Sequence, residues 1–380
     1  MENKSFLIIG GGIAGLTAAI ALQQLGLDVQ VYERFSEIRP AGAGIMIAPN
    51  ALQALERLGL EKAVQKQGYI RSRGIAILNE QGTVLSELPT RTQQYSTVSI
   101  HRAELHHILL SALRPGTVIF GKTYLDSKQD GGRVTVTFTD QSKATGDYIL
   151  AADGIHSGVR GKLFPSVKLR YSGYTCWRGI APCWPESGKN SLFTETWGTE
   201  GRFGVIPLSN ERTYWYALMN GPAGDSRYAE YGTKDIIKIF GGYHAPVSKV
   251  LSRTPDGKLI HNDIFDFETP EQLVFGRTLL IGDAGHAITP NLGQGACQAI
   301  EDALELTRSL KQHSSVESAF RAFEMIRIKR MKAISQQSFT VGKIAQLENP
   351  FLCGLRNSVM RLIPPSIQRK QLNSLYNVDF

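Results

Sequence analysis

The 380-residue sequence has few of the features of disulfide-stabilised, metal-binding or membrane-spanning proteins. Its four cysteines (Cys176, Cys183, Cys297 and Cys353) show no C-x-x-C spacing, which argues against a disulfide redox centre and favours a reduced, cytoplasmic setting. No apolar run reaches the roughly 18 residues that a membrane span needs, and the eight histidines form no metal-binding pattern. We therefore expect no stable membrane insertion and no metal. A strand-like run begins almost at once, so we also expect no signal peptide.

The excess of basic residues gives a formal net charge of +8, which raises nucleic-acid binding as one interpretation. The basic side chains are scattered, however, and their densest group, in residues 321–332, has no accompanying aromatic platform. We therefore expect no nucleic-acid partner. The charge is better suited to attracting an anionic cofactor, and it would also attract an anionic substrate.

The amino-terminal segment IIGGGIAGLTAAIALQQLGLDVQVYER predicts a dinucleotide-binding β-α-β unit. Its glycines fit G-x-G-x-x-G, so the first two let the backbone approach a pyrophosphate and the third lets the helix pack close to the strand. The helix aims its positive end at the phosphates, and an acid closes the second strand where it can bind a ribose. That acid favours FAD or NAD over NADP, and the arginine after it either stacks on adenine or is solvated. The expected cofactor contacts are Gly10, Gly12, Ile13, Ala14, Gly15, Glu33 and Arg34.

A second glycine-containing segment, LLIGDAGHAITPNLGQGACQAIEDA, favours FAD over NAD. A strand over 277–282 places Asp283 at its carboxyl end, where ligands of open parallel sheets collect and where a carboxylate can accept hydrogen bonds from a ribitol chain. Pro290 then turns the chain, and Gly293 and Gly295 lead into a long helix. The positive end of that helix would stabilise an anionic reduced flavin.

Three motifs now stand in order: GGGIAG with Glu33, AADGIHSGVR at 151–160, and GDAGHAITPNLGQG at 282–295. In sequence and spacing they resemble the fingerprints of the group A flavin-dependent monooxygenases, and the resemblance covers nearly the whole chain. Details such as YSGYTCWRG at 171–179 resemble the branch that includes bacterial urate hydroxylases, hydroxynicotinate monooxygenases and zeaxanthin epoxidase-like proteins.

The resemblance and the strand patterns together predict an α/β fold. A discontinuous FAD-binding, Rossmann-like domain of the glutathione-reductase type would comprise 1–70, 101–168 and 276–335. A mostly antiparallel, substrate-binding sheet over 71–100 and 169–275 would be interleaved with it. Residues 336–380 would form a carboxy-terminal helical segment, whose apolar stripe either docks on the core or makes a weak membrane contact. The stripe consists of Phe351, Leu352, Leu355, Val359 and Leu362.

The resemblance also implies further FAD contacts. Arg102 opens a helix, where a cation is unfavourable, so a phosphate partner explains it better than a surface position does. Asp153 is linked in the family to FAD and nicotinamide binding, although it could also cap the helix that follows. His286 is interpreted as a packing residue. The remaining contacts implied by the resemblance are Ala43, Gly44, Ile45, Leu125, Asp283, Pro290, Gly293, Gln294 and Gly295.

The substrate is expected between the flavin and the sheet. Arg202 and Tyr214 resemble the substrate-site arginine and tyrosine of the urate hydroxylases, although each could instead be an ordinary strand residue. Asn291 follows the loop proline where those enzymes have an acid, which puts urate in doubt. The predicted catalytic residues are Arg202, Tyr214, Pro290 and Asn291, and Trp177, Arg178 and Tyr216 are further candidates for the substrate site.

The reaction implied is hydroxylation or epoxidation of a small aromatic or heteroaromatic substrate through a flavin C4a-hydroperoxide, with dioxygen and NAD(P)H as co-substrates. No second G-x-G-x-x-G occurs, so NAD(P)H is expected to bind only transiently. A related flavin reductase or dehydrogenase without oxygen transfer, and a non-catalytic flavin-binding protein, are the alternatives. The sequence leaves open a monomer or a homodimer.

Overall fold

The computed structural model describes residues 4–37, 43–70, 74–88, 92, 94–184, 193–257 and 259–378. Its first sheet has six strands, and its four central strands pair with one another in parallel. In spatial order these strands are β18 (Val274–Phe275), β19 (Thr278–Leu280), β12 (Tyr148–Ala151), β1 (Ser5–Ile9), β2 (Asp28–Tyr32) and β8 (Val118–Ile119).

The parallel pairings bring the three sequence motifs to one edge of this sheet. Gly10 follows β1, Glu33 follows β2, Asp153 lies two residues beyond β12 and Asp283 three residues beyond β19. The carboxyl ends of parallel strands meet at the same edge, so Gly10 and Asp283, 273 positions apart, become neighbours. The expected α/β fold is confirmed, and this edge is where a ligand site would form.

Helix α1 (Ile13–Gln24) is apolar on all sides because it is covered on all sides. It packs between the first sheet and α10 (Gly295–Gln312), the helix that follows the second glycine segment. The helices that complete this half of the molecule are α2 (Pro49–Arg57), α3 (Glu61–Gln67), α4 (Arg102–Ser111), α5 (Gly158–Leu163) and α9 (Asp283–His286).

The second large sheet has seven strands and is antiparallel except for one pairing, between β14 and β5. In spatial order it contains β17 (Ile260–Asp266), β13 (Arg170–Ala181), β16 (Arg212–Asn220), β15 (Gly201–Leu208), β14 (Phe193–Gly198), β5 (Ile75–Leu78) and β6 (Val84–Leu88). One face is covered by α6 (Ser226–Ala229), α7 (Thr233–Phe240) and α8 (Ala245–Arg253). The other face looks towards the edge of the first sheet.

Two small sheets connect these layers. One consists of β3 (Gly44–Ile47), β7 (Val98–His101) and β4 (Tyr69–Ile70), and the other of β11 (Lys143–Gly146), β10 (Arg133–Phe138) and β9 (Tyr124–Asp130). The segment 71–100 was predicted to belong entirely to the substrate-binding sheet. It supplies β5 and β6 there, but β7 pairs with β3 and β4 instead.

The carboxy-terminal region is helical, as expected. It contains α11 (Val316–Ala345), α12 (Pro350–Leu362) and α13 (Pro365–Tyr376). Helix α11 is continuous through the boundary that the sequence analysis placed at 335. Its buried residues continue from Val316 to Ala345 without a break at that position. None of the described helices is both long and apolar enough to span a bilayer.

Candidate flavin and substrate site

Two cavities meet at the edge where the motifs converge. The first, of about 500 Å³, is lined by the glycine turn, Glu33, Arg34 and the start of α4. The second, of about 410 Å³, lies between the second glycine segment and the open face of the seven-stranded sheet. Both are lined by Gly12, Arg102, Ala152 and Gly154, so the two cavities form one elongated cleft.

The glycine turn after β1 has the geometry that a dinucleotide requires. Gly10 has a φ of +105°, and a Cβ there would lie 2.4 Å from the carbonyl oxygen of Ala152. A Cβ on Gly15 would lie 2.0 Å from the carbonyl oxygen of Gly10, so the helix can pack this closely only without a side chain. Gly12, in contrast, faces open space in the cleft, which leaves its backbone accessible to a pyrophosphate.

Glu33 is held at the far end of this cavity by two backbone amides. The amide of Gly11 donates to Oε2 at 2.6 Å, and the amide of Phe35 donates to Oε1 at 3.0 Å. The carboxylate is thereby fixed beside the glycine turn with lone pairs left for ribose hydroxyls. The guanidinium of Arg34 lies 4.7 Å from the ring centre of Phe35, at the rim of the same cavity.

Arg102 and His106 lie one turn apart on α4 and therefore share a face. Both line the first cavity, and Arg102 also lines the second. The Nε2 atom of His106 is shielded from solvent and has no hydrogen-bond partner among the described residues. Burial, aided by the Arg102 charge, lowers the pKa of His106 to about 4, so its imidazole is neutral at pH 7.

Asp283 faces the second cavity just beyond β19. Its side chain is open to the cleft but is enclosed by protein, and this loss of solvent raises the pKa of the carboxyl despite nearby cationic groups. The first turn of α10 lines the same cavity through Gly295, Ala296 and Ala299 and directs its positive end there. A carboxylate and a helix amino terminus therefore face the same space.

A buried network of charged groups holds this loop from behind. The Gly282 amide donates to Oδ2 of Asp302 at 2.7 Å, and Nε2 of His286 lies 2.7 Å from the same oxygen. On its other side, Asp302 accepts from Arg327 Nε at 2.6 Å. The network continues through Glu301, Arg330, Gln298, Gln294 and Asn50. His286 is thus a supporting residue, as its sequence context suggested.

The middle motif connects the two cavities. Asp153 lines the first one and accepts from the Ser157 hydroxyl at 2.5 Å and from the Val159 amide at 3.2 Å, so it also supports the start of α5. Arg160, at the end of the motif, is buried and donates to the carbonyl oxygen of Ala284 at 3.0 Å. The middle and flavin-side motifs are therefore joined directly by this arginine.

The open face of the seven-stranded sheet forms the roof of the second cavity. Side chains that alternate along three neighbouring strands point into it, and a Cβ on Gly204 would collide with the ring of Tyr216 at 2.2 Å. A glycine at 204 is therefore needed to let that ring lie flat on the sheet. The roof residues are Cys176, Arg178, Arg202, Ile206, Tyr214, Tyr216 and Leu218.

Arg202 is paired with a buried carboxylate behind this roof. Its Nε donates to Oε1 of Glu195 at 2.6 Å, and its Nη1 donates to Oδ1 of Asn291 at 2.7 Å. Burial and the Glu195 charge raise the pKa of Tyr216, whose hydroxyl donates to Oε2 of Glu195 at 2.8 Å. Glu195 therefore compensates the positive charge of Arg202 within the protein.

Several predicted residues do not line the cleft. Trp177 lies on the opposite face of the sheet, fully buried under α6 and α7, because strand side chains alternate. Leu125 is largely exposed on β9, and its neighbour Tyr124 lines the first cavity instead. Asn291 lines an adjoining cavity and contacts the second cavity, the chamber beneath the seven-stranded sheet, through its hydrogen bond with Arg202. Three further residues support the cleft without lining it. Gly15 lets α1 pack against the glycine turn, and the carbonyl oxygen of Ala43 accepts from the Arg102 amide. Gln294 accepts a hydrogen bond from Asn50.

Other predicted residues do line it. They are Gly10, Gly12, Ile13, Ala14, Glu33, Arg34, Gly44, Ile45, Arg102, Asp153, Arg178, Arg202, Tyr214, Tyr216, Asp283, Pro290, Gly293 and Gly295. Sequence reasoning missed Glu195, His106 and Arg160. Glu195 and Arg160 carry signals that it could have used, since a charged residue on the same strand face as Phe193 and Trp197 and an arginine inside a motif both suggest a buried partner.

Comparison with known proteins now identifies the class. A family model described as an FAD-binding domain matches residues 4–338, and the chain belongs to this family. It is an FAD-dependent monooxygenase of the group A type, and the cofactor is FAD. The cleft fits this cofactor, because Gly12 opens onto it, Glu33 and Asp283 stand at its two ends, and the unpartnered Nε2 of His106 lies in its wall.

The similarity extends over nearly the whole chain. The aurachin C monooxygenase/isomerase of Stigmatella aurantiaca is 34% identical over 378 residues, which is 98% of this chain and 97% of that protein. The 2-heptyl-3-hydroxy-4(1H)-quinolone synthase of Pseudomonas aeruginosa is 34% identical over 378 residues, 97% of each. The structure of Klebsiella pneumoniae HpxO with FAD and uric acid has a TM-score of 0.88 and 29% identity, with 98% of this chain and 96% of that chain covered.

Proposed function

We propose that this protein uses NAD(P)H and dioxygen to hydroxylate or epoxidise a small, electron-rich heteroaromatic substrate in the chamber under the seven-stranded sheet. The observation that carries the proposal is the continuity of that chamber with the FAD cleft at Gly12 and Arg102. A substrate beneath the roof would lie directly against the flavin-side loop. We also propose a cytoplasmic location, which the four buried, unpaired thiols favour.

The bound FAD would supply electron transfer from NAD(P)H and the activation of dioxygen. The chain would supply position and shielding. Gly12 and Arg102 would hold the pyrophosphate, Asp283 would accept hydrogen bonds from the ribitol, and the amino end of α10 would favour negative charge on the flavin. The close-packed roof of the chamber would exclude water from the oxygen-transfer step.

The two residues that correspond to the urate site, Arg202 and Asn291, favour an uncharged substrate over urate. Glu195 neutralises Arg202, and Asn291 uses its amide on protein partners, so neither is available to bind or deprotonate an anion. The 2-heptyl-3-hydroxy-4(1H)-quinolone in the name of one relative is a bicyclic heteroaromatic compound without a formal charge. A quinolone-type ring is therefore the substrate class that we propose.

The test is a substrate screen on the purified, yellow protein. NADH or NADPH oxidation should accelerate with 4(1H)-quinolones, and mass spectrometry with isotopically labelled dioxygen should show one labelled oxygen in the product. Uric acid and salicylate serve as anionic comparisons and should accelerate oxidation less. Accelerated oxidation that yields only hydrogen peroxide or a reduced product would instead support a flavin reductase, and no acceleration with any ring would contradict the proposal.

A further inference from the structure

Helix α12 presents an apolar stripe to solvent. Phe351 and Leu362, near its two ends, are 78% and 79% exposed, and Leu355 between them is 55% exposed. At 100° per residue these side chains and those of Leu352 and Val359 fall within roughly a 100° sector. Isolated exposed apolar residues are common, but a continuous stripe along a whole helix indicates a contact surface.

The opposite side of α12 is firmly docked, so the stripe faces outward in a fixed orientation. Arg356 is buried and donates to the carbonyl oxygens of Ala345 and Trp197 at 3.2 and 3.1 Å. Its guanidinium also lies 5.4 Å from a ring centre of Trp197, and Cys353 is buried beside it. The apolar surface continues past the helix end through Ile363 and Ile367, which are both exposed.

The charged residues of α12 and α13 are all basic, with Glu348 before α12 and Asp379 after α13. Between residues 350 and 378 the sequence has four basic residues (Arg356, Arg361, Arg369 and Lys370) and no acidic one. Arg361 and Lys370 are exposed. Two copies of this face would bring like charges together, which disfavours self-association. An apolar stripe flanked by cations complements an anionic lipid surface, with the stripe in the acyl boundary and the cations at the headgroups.

We propose that α12 and the start of α13 bind the surface of a membrane that contains anionic lipids, with α12 lying in the plane of the interface. A helix of 13 residues is about 20 Å long and cannot span a bilayer, so the contact is peripheral and reversible. The proposal does not depend on the substrate. It places the FAD-containing body on the membrane surface by one defined face.

The test is co-sedimentation of the FAD-loaded protein with vesicles of phosphatidylglycerol and phosphatidylcholine, beside vesicles of phosphatidylcholine alone. The wild type should bind the anionic vesicles and dissociate as salt is added. F351Q/L362Q should bind at least about tenfold more weakly, and R361Q/K370Q about fivefold more weakly per charge removed. M325Q, which alters an exposed apolar residue on α11, should bind like the wild type.

All variants should keep the FAD content of the wild type, because none of these side chains lines the cleft. Failure of the wild type to bind anionic vesicles, or equal binding by F351Q/L362Q, would overturn the proposal. Equal binding to both vesicle types would also overturn it, since the charge would then play no part. A dimer in solution that F351Q/L362Q dissociates, without vesicle binding, would show that a second copy covers the face instead.

Discussion

Glu195 compensates the buried charge of Arg202 at the roof of the chamber. It accepts from Arg202 and Tyr216 in a nearly solvent-free position. E195Q should leave the Arg202 cation buried and uncompensated, and should lower the free energy of unfolding by about 3 kcal/mol. The same change should favour anionic ring substrates over quinolones. Urea unfolding and the KM values for a salicylate and a quinolone would measure both effects.

The double variant E195L/R202M is the matched control for this prediction. Replacing both partners by apolar groups removes the unpaired charge, so much of the lost stability should return, although Asn291 and Tyr216 each lose a partner. The new preference for anions should disappear because the cation has gone. If E195Q unfolds like the wild type, Arg202 has another source of compensation and the argument for an uncharged substrate fails.

His106 gives the cleft a dependence on pH. Burial lowers its pKa to about 4 from a usual value of 6.5, so the folded state resists a protonation that the unfolded chain accepts. Its contribution to stability therefore falls as pH drops below 6.5, by about 2 kcal/mol at pH 5. H106L should lose less thermal stability than the wild type between pH 7 and pH 5. H107L, at the exposed neighbouring position, should follow the wild type; identical curves for all three would refute the assignment.

At the scale of secondary-structure elements, the buried network links α10, α11 and the loop after β19. Asp302 holds the Gly282 turn, whose φ is +56°, and pairs with Arg327 from α11. D302N should cost about 3 kcal/mol and weaken FAD binding, because an amide keeps one acceptor oxygen for the Gly282 turn and Arg327 together, and Arg327 loses one of its two counter-charges. Thermal unfolding and FAD titration would test this, and E305Q, one turn further along α10, should change neither much.

The same network has a defined acid dependence. Burial alone would raise the pKa of Asp302, but the His286 and Arg327 charges outweigh it and lower the pKa below the usual 3.8. Its stabilising contribution is therefore complete above about pH 4 and is lost as pH falls through the lower, folded value. The stability lost by D302N relative to the wild type should shrink in that range. A difference that stays constant with pH would contradict this role.

Elements with a local signature were predictable, whereas contacts between distant elements were not. The turn at Gly10 and the close helix packing at Gly15 follow from glycines between a strand and a helix, and the geometry needs both. Asp283 was expected to face the flavin because it follows a parallel strand, and it faces the cleft. The pairing of Arg202 with Glu195 depends on the register of β14 and β15, and that register is set by the whole sheet. Trp177 and Arg178 were both proposed for the substrate site, but consecutive strand residues face opposite ways and only Arg178 lines the cavity.

At the scale of the whole molecule, FAD is expected to join the two layers, since its cleft is lined from both. Asp283 lies where the layers meet: its side chain is exposed to the cleft, and desolvation by the cleft walls raises the pKa of its carboxyl, so its negative charge is less favourable in the empty protein than in water. D283A should weaken FAD binding by about 3 kcal/mol, roughly a hundredfold, through lost ribitol hydrogen bonds. The FAD-free D283A protein should nevertheless be at least as stable as the FAD-free wild type.

D283A is thus expected to weaken FAD binding without lowering the stability of the FAD-free protein. This combination separates a ligand-binding role from a structural one. With FAD at about a hundred times its Kd the wild type should gain about 2.7 kcal/mol, and D283A should gain far less at the same concentration. D130A, which removes an exposed carboxylate on β9, should behave like the wild type with and without FAD. A D283A protein that retains full FAD occupancy, or that is less stable than the wild type when both are empty, would show that Asp283 supports the fold rather than the cofactor.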